Sequence, residues 1–337
     1  MTLPIAVLGA GAWGTALAQS LAVHHPDTLR VLVWARDAAL VSELQRTQQN
    51  SRYLPNITLH PRLQYSADLA TAIQFAQGGL VIAATSVAGL RPLCQALKAL
   101  LSLQPPNLIW LCKGLEVGTD LFPHQVIAAE LGNVPCAALS GPSFAQEVAL
   151  GQPAALTLAS RDPVLLKFAQ PLLHGGALRI YSSQDVAGVE VGGAVKNVLA
   201  VATGIADGLQ LGLNARAALI TRGLAEMARL ATTLGGQPDT MLGLAGVGDL
   251  LLTTTGDLSR NRKVGLLLAS GLTLEAALAQ LGHVAEGVRC APSVLKLAHQ
   301  HGVAMPIVET VNQILFENLP TTLAVKKLLA RDVGGVG

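Results

Sequence analysis

Lys196 and Asn197 stand in the middle of the apolar stretch 189–209. An ammonium in such a setting costs several kcal/mol unless it is paired or neutralised, so a lysine placed there points to a functional role. The alternative is a lysine snorkelling to the surface of an amphipathic helix, for which the flanking glycines and valines provide no broad polar face. Asp249 follows the glycine-rich run 243–248. It suits either a ligand contact, where backbone comes close, or a helix N-cap. Ser259-Arg260-Asn261 joins a planar guanidinium fork to two neutral hydrogen-bonding groups, the chemistry of phosphate recognition; its other reading is a solvated charged turn.

The elements that must position these groups begin at the N-terminus. The apolar run Ile5-Ala6-Val7-Leu8 ends in Gly9-Ala10-Gly11-Ala12-Trp13-Gly14, and a small-residue helix pattern follows at once. Strand, G-x-G-x-x-G turn and helix in that order point to dinucleotide binding. Gly9 permits the tight turn, Gly11 has no Cβ to block a pyrophosphate, and Gly14 lets the helix pack on the strand with its free N–H groups aimed at the phosphates. The alternative is an ordinary βα turn. Further strands are expected at 29–34, 80–84, 108–112, 136–139, 154–159 and 178–182. Continuous apolar strands alternating with helices predict a parallel sheet covered on both faces, and ligands bind outside the carboxyl ends of such strands. Arg36, Thr85-Ser86, Lys113-Gly114 and Ser140-Gly141-Pro142-Ser143 are therefore site candidates.

From about Val186 the pattern changes to long helical stretches rich in Ala, Leu and Gly. The expected architecture is an α/β Rossmann-like parallel-sheet domain at 1–186, an all-α domain at 187–332 and a frayed tail at 333–337. In the helix expected over 214–234, Asn214 can cap, Arg222 and Glu226 share a polar face, and Leu219, Leu224, Met227 and Leu230 contribute to a buried stripe.

Composition narrows the partners. Hydrophobic residues make up 51% of the 337 and charged ones 13%, which excludes disorder and requires a large buried core. A net charge of +2 without a Lys/Arg block argues against nucleic acid or a membrane surface. The uncharged stretch 69–90 is long enough to span a bilayer, but Gln74, Gln77 and Gly78-Gly79 divide it into a helix end, a turn and a buried strand. No signal peptide is visible, because the N-terminus has no basic region ahead of its apolar run. Cys94, Cys112, Cys136 and Cys290 are widely spaced without close His partners, which fits buried thiols in a reducing cytoplasm and no metal site.

Taken together, these segments resemble the bacterial soluble NAD(P)-dependent glycerol-3-phosphate dehydrogenases. The resemblance is carried by the glycine turn, Trp34-Ala-Arg-Asp37, Lys113-Gly-Leu-Glu116, Ser140-Gly-Pro-Ser-Phe-Ala145, Gly192-Gly-Ala-Val-Lys-Asn197, Asn214-Ala-Arg216, Gly246-Val-Gly-Asp-Leu250, Ser259-Arg-Asn261 and Val284-Ala-Glu-Gly287, in the family's order over nearly the whole chain. It implies a reversible, NAD(P)H-dependent reduction of dihydroxyacetone phosphate to sn-glycerol 3-phosphate, feeding glycerophospholipid synthesis. Lys196 would be the proton donor and acceptor, with Lys113 and Asp249 sharing the electrostatic work. The phosphorylated triose would contact Lys113, Gly141, Ser143, Lys196, Asp249, Ser259, Arg260 and Asn261. The cofactor would contact Gly9, Gly11, Ala12, Trp13, Gly14, Arg36, Lys113, Ala145, Arg260, Val284 and Glu286. Ala12 stands where the family often has Ser, which removes one side-chain phosphate contact.

Arg36, at the end of the second strand, favours NADPH with NADH also usable; Asp37 offers the competing ribose contact unless it points into the following turn. The apolar helices of the second half are compatible with a homodimer, and the variable stretch 46–55 yields no assignment. A 3-hydroxyacid or 6-phosphogluconate-type dehydrogenase is the nearest alternative, but the Ser259 triplet and the Gly192–Asn197 context argue against it. A non-catalytic NAD(P)H sensor would have no reason to keep Lys196, Asp249 and Arg260 together.

Overall fold

Alternating apolar runs and helices build a Rossmann-like sheet in the first half of the chain. Its elements are β1 (Leu3–Leu8), α1 (Ala12–His24), β2 (Leu29–Trp34), α2 (Ala38–Thr47), β3 (Gln49–Asn50), β4 (Leu54–Thr58), β5 (Gln64–Ser66), α3 (Leu69–Phe75), β6 (Leu80–Ala83), α4 (Val87–Leu100), β7 (Asn107–Trp110), α5 (Pro123–Leu131), β8 (Cys136–Ser140), α6 (Ala145–Ala149), β9 (Ala154–Ala159), α7 (Pro163–Leu173) and β10 (Leu178–Ser183). The computed structural model describes residues 2–25, 27–100, 106–282 and 285–329. Eight strands form one sheet in the order β10-β9-β8-β7-β6-β1-β2-β5. Parallel partners flank β1 on both sides, with Val7 opposite Val33 and Ile82. Ile5, Val7, Val31 and Ile82 of these strands and Leu17 and Leu21 of α1 are buried in one core, which is why β1 and β6, and β2 but for the exposed Arg30, read as apolar runs.

The sheet departs from the expected all-parallel form at one place. β8 and β9 pair antiparallel, Ser140 opposite Thr157. A parallel neighbour needs a crossover that returns the chain along the strand, and the five-residue α6 rises only about 7.5 Å, against about 16 Å for a five-residue strand.

The second half is helical among its described residues: α8 (Val186–Gly208), α9 (Gly212–Thr233), α10 (Pro238–Leu242), α11 (Asp249–Thr255), α12 (Arg260–Ala269), α13 (Leu274–Leu281), α14 (Glu286–Gln300), α15 (Pro306–Phe316) and α16 (Thr321–Leu329). A single π-helical turn, Leu244–Gly248, leads into α11 and breaks helical geometry at Gly246. By length and composition α8 could cross a membrane, yet nearly all of it is buried as the central helix of this core. Val191, Val195 and Val198 pack there with Met227, Leu250, Val264 and Val294.

Contacts divide the chain into two units, residues up to Cys112 with Pro123–Val186, and Lys113–Phe122 with the chain from Ala187 onward. The segment Lys113–Phe122 thus leaves the continuous 1–186 domain expected from sequence. Leu115 and Phe122 are buried in the helical core, and Asp120 pairs with Lys296 of α14 at 2.5 Å. Two further expectations change. α9 starts at Gly212 without a side-chain cap, so Asn214 lies inside the helix. Glu226 is not on a polar face but 1% exposed, and its carboxylate accepts the Ile307 and Val308 backbone N–H groups at 2.7 and 3.3 Å, capping α15. Burial pushes this carboxyl up to about 7, with the two N–H donors and Arg229 and Arg222 opposing. None of the four cysteines is in a disulfide; burial pushes the Cys94 and Cys290 thiols up to about 12. Val284 and the tail 333–337 lie outside the described residues.

Candidate active site

In the helical unit, two lysines share one carboxylate. Lys113 Nζ donates to Asp249 Oδ2 at 2.7 Å, and Lys196 Nζ donates to Asp249 Oδ1 and, at 3.0 Å, to the Thr253 hydroxyl. Asp249 is the first residue of α11, whose N-cap is Gly248, so its carboxylate serves the lysines and does not cap. The side chains are 8% exposed at Lys196 and 2% at Asp249, which disposes of the snorkelling alternative. Glycines on α8 create the room. A Cβ on Gly192 would lie 2.3 Å from the Ala245 carbonyl oxygen, and one on Gly193 3.3 Å from Cγ of Lys113. The pair Gly192-Gly193 therefore lets the π-turn approach α8 on one side and the Lys113 stem on the other.

Two ammonium groups against one carboxylate leave the cluster one positive charge in excess, at a place with little water to screen it. Burial pushes the Lys196 amine down to about 7, opposed by Asp249 and assisted by the Lys113 charge. Burial alone would raise the Asp249 carboxyl, but Lys113 and Lys196 hold it below its ordinary value. An amine that changes protonation near neutrality, next to surplus positive charge, can exchange a proton with a carbonyl or alcohol oxygen and stabilise negative charge on it.

One residue beyond Lys196, the Asn197 side chain accepts a 2.9 Å hydrogen bond from the Asn261 amide, and the Asn261 oxygen accepts the Gly287 N–H at 2.9 Å. Ser259 caps α12 by accepting the Arg262 N–H. Both residues thus have structural duties within the unit. Arg260, first in α12, is exposed. Its charge and that of Arg289 lower the Glu286 carboxyl while burial, the larger effect, raises it.

The sheet unit carries the other set. Gly9 adopts φ +135° and Gly14 packs so closely that a Cβ would meet the Gly9 carbonyl oxygen at 2.2 Å, whereas a Cβ on Gly11 would meet open space. No side chain caps α1 at Gly11, so the first-turn N–H groups at Ala12 and Trp13 face that space. This cradle fits a dinucleotide pyrophosphate, and Gly9, Gly11 and Gly14 have the geometry that their spacing predicted. Arg36 is exposed just beyond β2, and Asp37 turns away to cap α2 through the Ala39 and Leu40 N–H groups. Gly141, at φ +137°, and Ser143, whose hydroxyl donates to the Gly141 carbonyl at 3.1 Å, follow β8 and lead into Ala145 at the start of α6.

Comparison with known proteins decides the family. A model of the NAD-dependent glycerol-3-phosphate dehydrogenase N-terminus matches residues 4–165, and a model of the C-terminus of the same enzymes matches 185–326. The chain belongs to the NAD-dependent glycerol-3-phosphate dehydrogenase family. It is 56% identical over 330 residues to glycerol-3-phosphate dehydrogenase (NAD(P)+) of Janthinobacterium sp. (strain Marseille), covering 97% of this chain and 98% of that protein. The crystal structure of glycerol-3-phosphate dehydrogenase from Coxiella burnetii is 42% identical, with a TM-score of 0.92 over 98% of this chain and 99% of that one. The corresponding enzyme of Saccharomyces cerevisiae is 29% identical at a TM-score of 0.83, covering 97% and 99%. Membership in this family sets aside the 3-hydroxyacid and 6-phosphogluconate-type alternative.

Two residues of this dehydrogenase, Thr253 and Asn50, stand at its sites without having been singled out from sequence, and Asn197, noted there beside Lys196, has a part of its own. Thr253 supplies the hydroxyl beside Lys196, one helical turn after Asp249. Asn197 joins α8 to α12 through its side chain. Asn50, fully buried, lies in the stretch that yielded no assignment, and its amide donates to the Ala10 carbonyl at 2.9 Å and the Thr15 hydroxyl at 2.8 Å, bracing the glycine turn. The spacing of Asp249 and Thr253 at i,i+4 was the one available signal for any of them.

Proposed function

We propose that Lys196, Lys113 and Asp249 form the proton-handling and oxyanion-binding centre for the reversible reduction of dihydroxyacetone phosphate to sn-glycerol 3-phosphate. The nicotinamide cofactor, when bound, supplies or accepts the hydride. As charge grows on the C2 oxygen, the Lys196 ammonium stabilises it and delivers a proton; in the reverse direction the neutral amine takes that proton back. Lys113 adds a second positive charge, and Asp249 holds the two ammonium groups together without cancelling both. Arg260 offers its fork to the phosphate, and Gly141, Ser143, Ser259 and Asn261 complete the substrate contacts. Ala145 and Glu286 serve the cofactor alongside the glycine turn. Arg36 faces the adenosine ribose, giving a preference for NADPH with NADH usable, since Asp37 is committed to the α2 cap.

The observation that carries this reading is a buried lysine and a part-buried one sharing a single buried carboxylate. Oxidation of NADPH and NADH, followed spectrophotometrically with dihydroxyacetone phosphate, tests it. Turnover is expected with both cofactors and at a lower KM for NADPH; absence of turnover with this substrate would overturn it.

A further inference from the structure

α8 and α12 cross at two glycines. A Cβ on Gly204 would lie 2.1 Å from the Arg262 carbonyl oxygen, and one on Gly265 2.2 Å from the Val201 carbonyl oxygen. Backbone touches backbone there, so no side-chain ridges interlock to fix the crossing angle. Contacts away from these two glycines must do so: Ala269 of α12 seats against Gly208 of α8, and polar contacts flank Gly204 along α8. On one side is the Asn261–Asn197 hydrogen bond. On the other, three residues past Gly204, Asp207 Oδ2 accepts both Nε and Nη2 of Arg262 at 2.8 Å. The second oxygen of Asp207 accepts Nε and Nη2 of Arg216 on α9, at 2.7 and 2.6 Å. Arg262 also reaches the exposed Asp257 at 3.0 Å. Asp207 and Arg262 are both largely buried, and the proton chemistry uses neither.

Arg260 lies five residues before Gly265, about 7.5 Å along α12. A rotation of roughly 10° about the glycine crossing would therefore shift the first turn of α12 by about 1.3 Å, and a misplacement of ~1 Å can cost about 10² in rate. We propose that Asp207 and Arg262 are positioning residues for the phosphate end of the substrate, setting the angle of α12 on α8 and with it the distance from Arg260 to Lys196. This rests on the reading of Arg260 as the phosphate contact.

The test compares Arg262→Lys and Asp207→Asn with the native enzyme on dihydroxyacetone phosphate and on unphosphorylated dihydroxyacetone at high enzyme concentration. Each variant is made alone and combined with Arg260→Lys. Losing the paired fork should lower kcat/KM for the phosphorylated substrate by about tenfold or more, mainly through KM, and leave kcat/KM for dihydroxyacetone within about twofold. Added to Arg260→Lys, either change should cost clearly less than it does alone, because much of its effect passes through the Arg260 fork. Equal losses on the two substrates, or losses that add fully to those of Arg260→Lys, overturn the proposal. Arg260→Lys with undiminished preference for the phosphorylated substrate overturns the Arg260 reading and this one with it. Should a variant not fold, Asp207→Glu keeps the charge and displaces the fork, and the same substrate ratio is read.

Discussion

Replacing Asp249 by Asn keeps the shape of the side chain and removes its charge. In the native protein one carboxylate oxygen lies 2.7 Å from Lys113 and the other accepts from Lys196. At a pH low enough to keep Lys196 protonated, the variant leaves two ammonium groups together inside the helical unit with no counter-charge. Breaking a buried pair in this way costs about 3–5 kcal/mol of stability, and at about 2–4 °C per kcal/mol the thermal midpoint falls on the order of 10 °C. The catalytic effect is more specific. Against burial and the Lys113 charge, Asp249 is what holds the Lys196 amine up at about 7. Coulomb's law gives about 4 kcal/mol for unit charges about 4 Å apart at an effective dielectric of about 20, against about 1.4 kcal/mol for a tenfold change in protonation. On the proposed role protonated Lys196 is the active form for reduction, so reductive kcat should fall as pH rises past about 7 in the native enzyme. In Asp249→Asn that limb moves to lower pH by at least about one pH unit, and reductive kcat at neutral pH drops by at least about fivefold. Oxidation of glycerol 3-phosphate, which needs the free amine, loses less. The assay is kcat in both directions between roughly pH 5 and 9, with the thermal midpoint measured beside it. An unmoved limb with equal losses in the two directions would refute Asp249 as the group that sets the Lys196 proton affinity.

Lys196→Ala should leave the fold and nucleotide binding intact and lower turnover by about 10²–10⁴; near-normal turnover would return this lysine to a structural role. The Glu226 carboxyl, raised from 4.5 to about 7, is more protonated in the folded than in the unfolded chain across that window, so the stability it contributes is present at low pH and lost as pH rises to about 7, in all about 3 kcal/mol. Glu226→Gln stays uncharged, and its unfolding free energy relative to native should climb from pH 4.5 to about 7 and then level off; a flat difference in denaturant titrations removes Glu226 as the cause. Arg36→Ala should weaken NADPH binding by about 1.5–3 kcal/mol, the worth of a charge-assisted phosphate contact, and change the KM for NADH little. Equal losses for both cofactors would mean that Arg36 does not read the 2′-phosphate.

What could be read from the sequence follows the reach of each physical constraint. The glycine turn was legible because enough of its demand is local, Gly9 by its own φ and Gly14 by contact with the Gly9 carbonyl, although Ala84 crowds both from a distant part of the chain. Lys196 was legible as a charge out of place in an apolar helix, but its partner lies 53 residues away on α11, and no spacing announces that Asp249 would serve Lys113 as well, 136 residues distant. Glu226 shows the converse error. Its i,i+4 relation to Arg222 is a local signal for an exposed ion pair, and it is overridden by the uncapped start of α15, which takes the carboxylate 81 residues along the chain. The same logic explains Lys113–Phe122, where the end of β7 gives no hint that Leu115, Phe122 and Asp120 will anchor to the helical unit. The consequence is chemical as well as topological. Because Lys113 travels with that segment, all three charged groups of the proposed proton-handling centre, Lys113, Lys196 and Asp249, belong to one folded unit. Their mutual geometry is therefore fixed by one hydrophobic core, with the Gly192-Gly193 step on α8 holding the Lys113 stem and the Asp249 turn at contact distance.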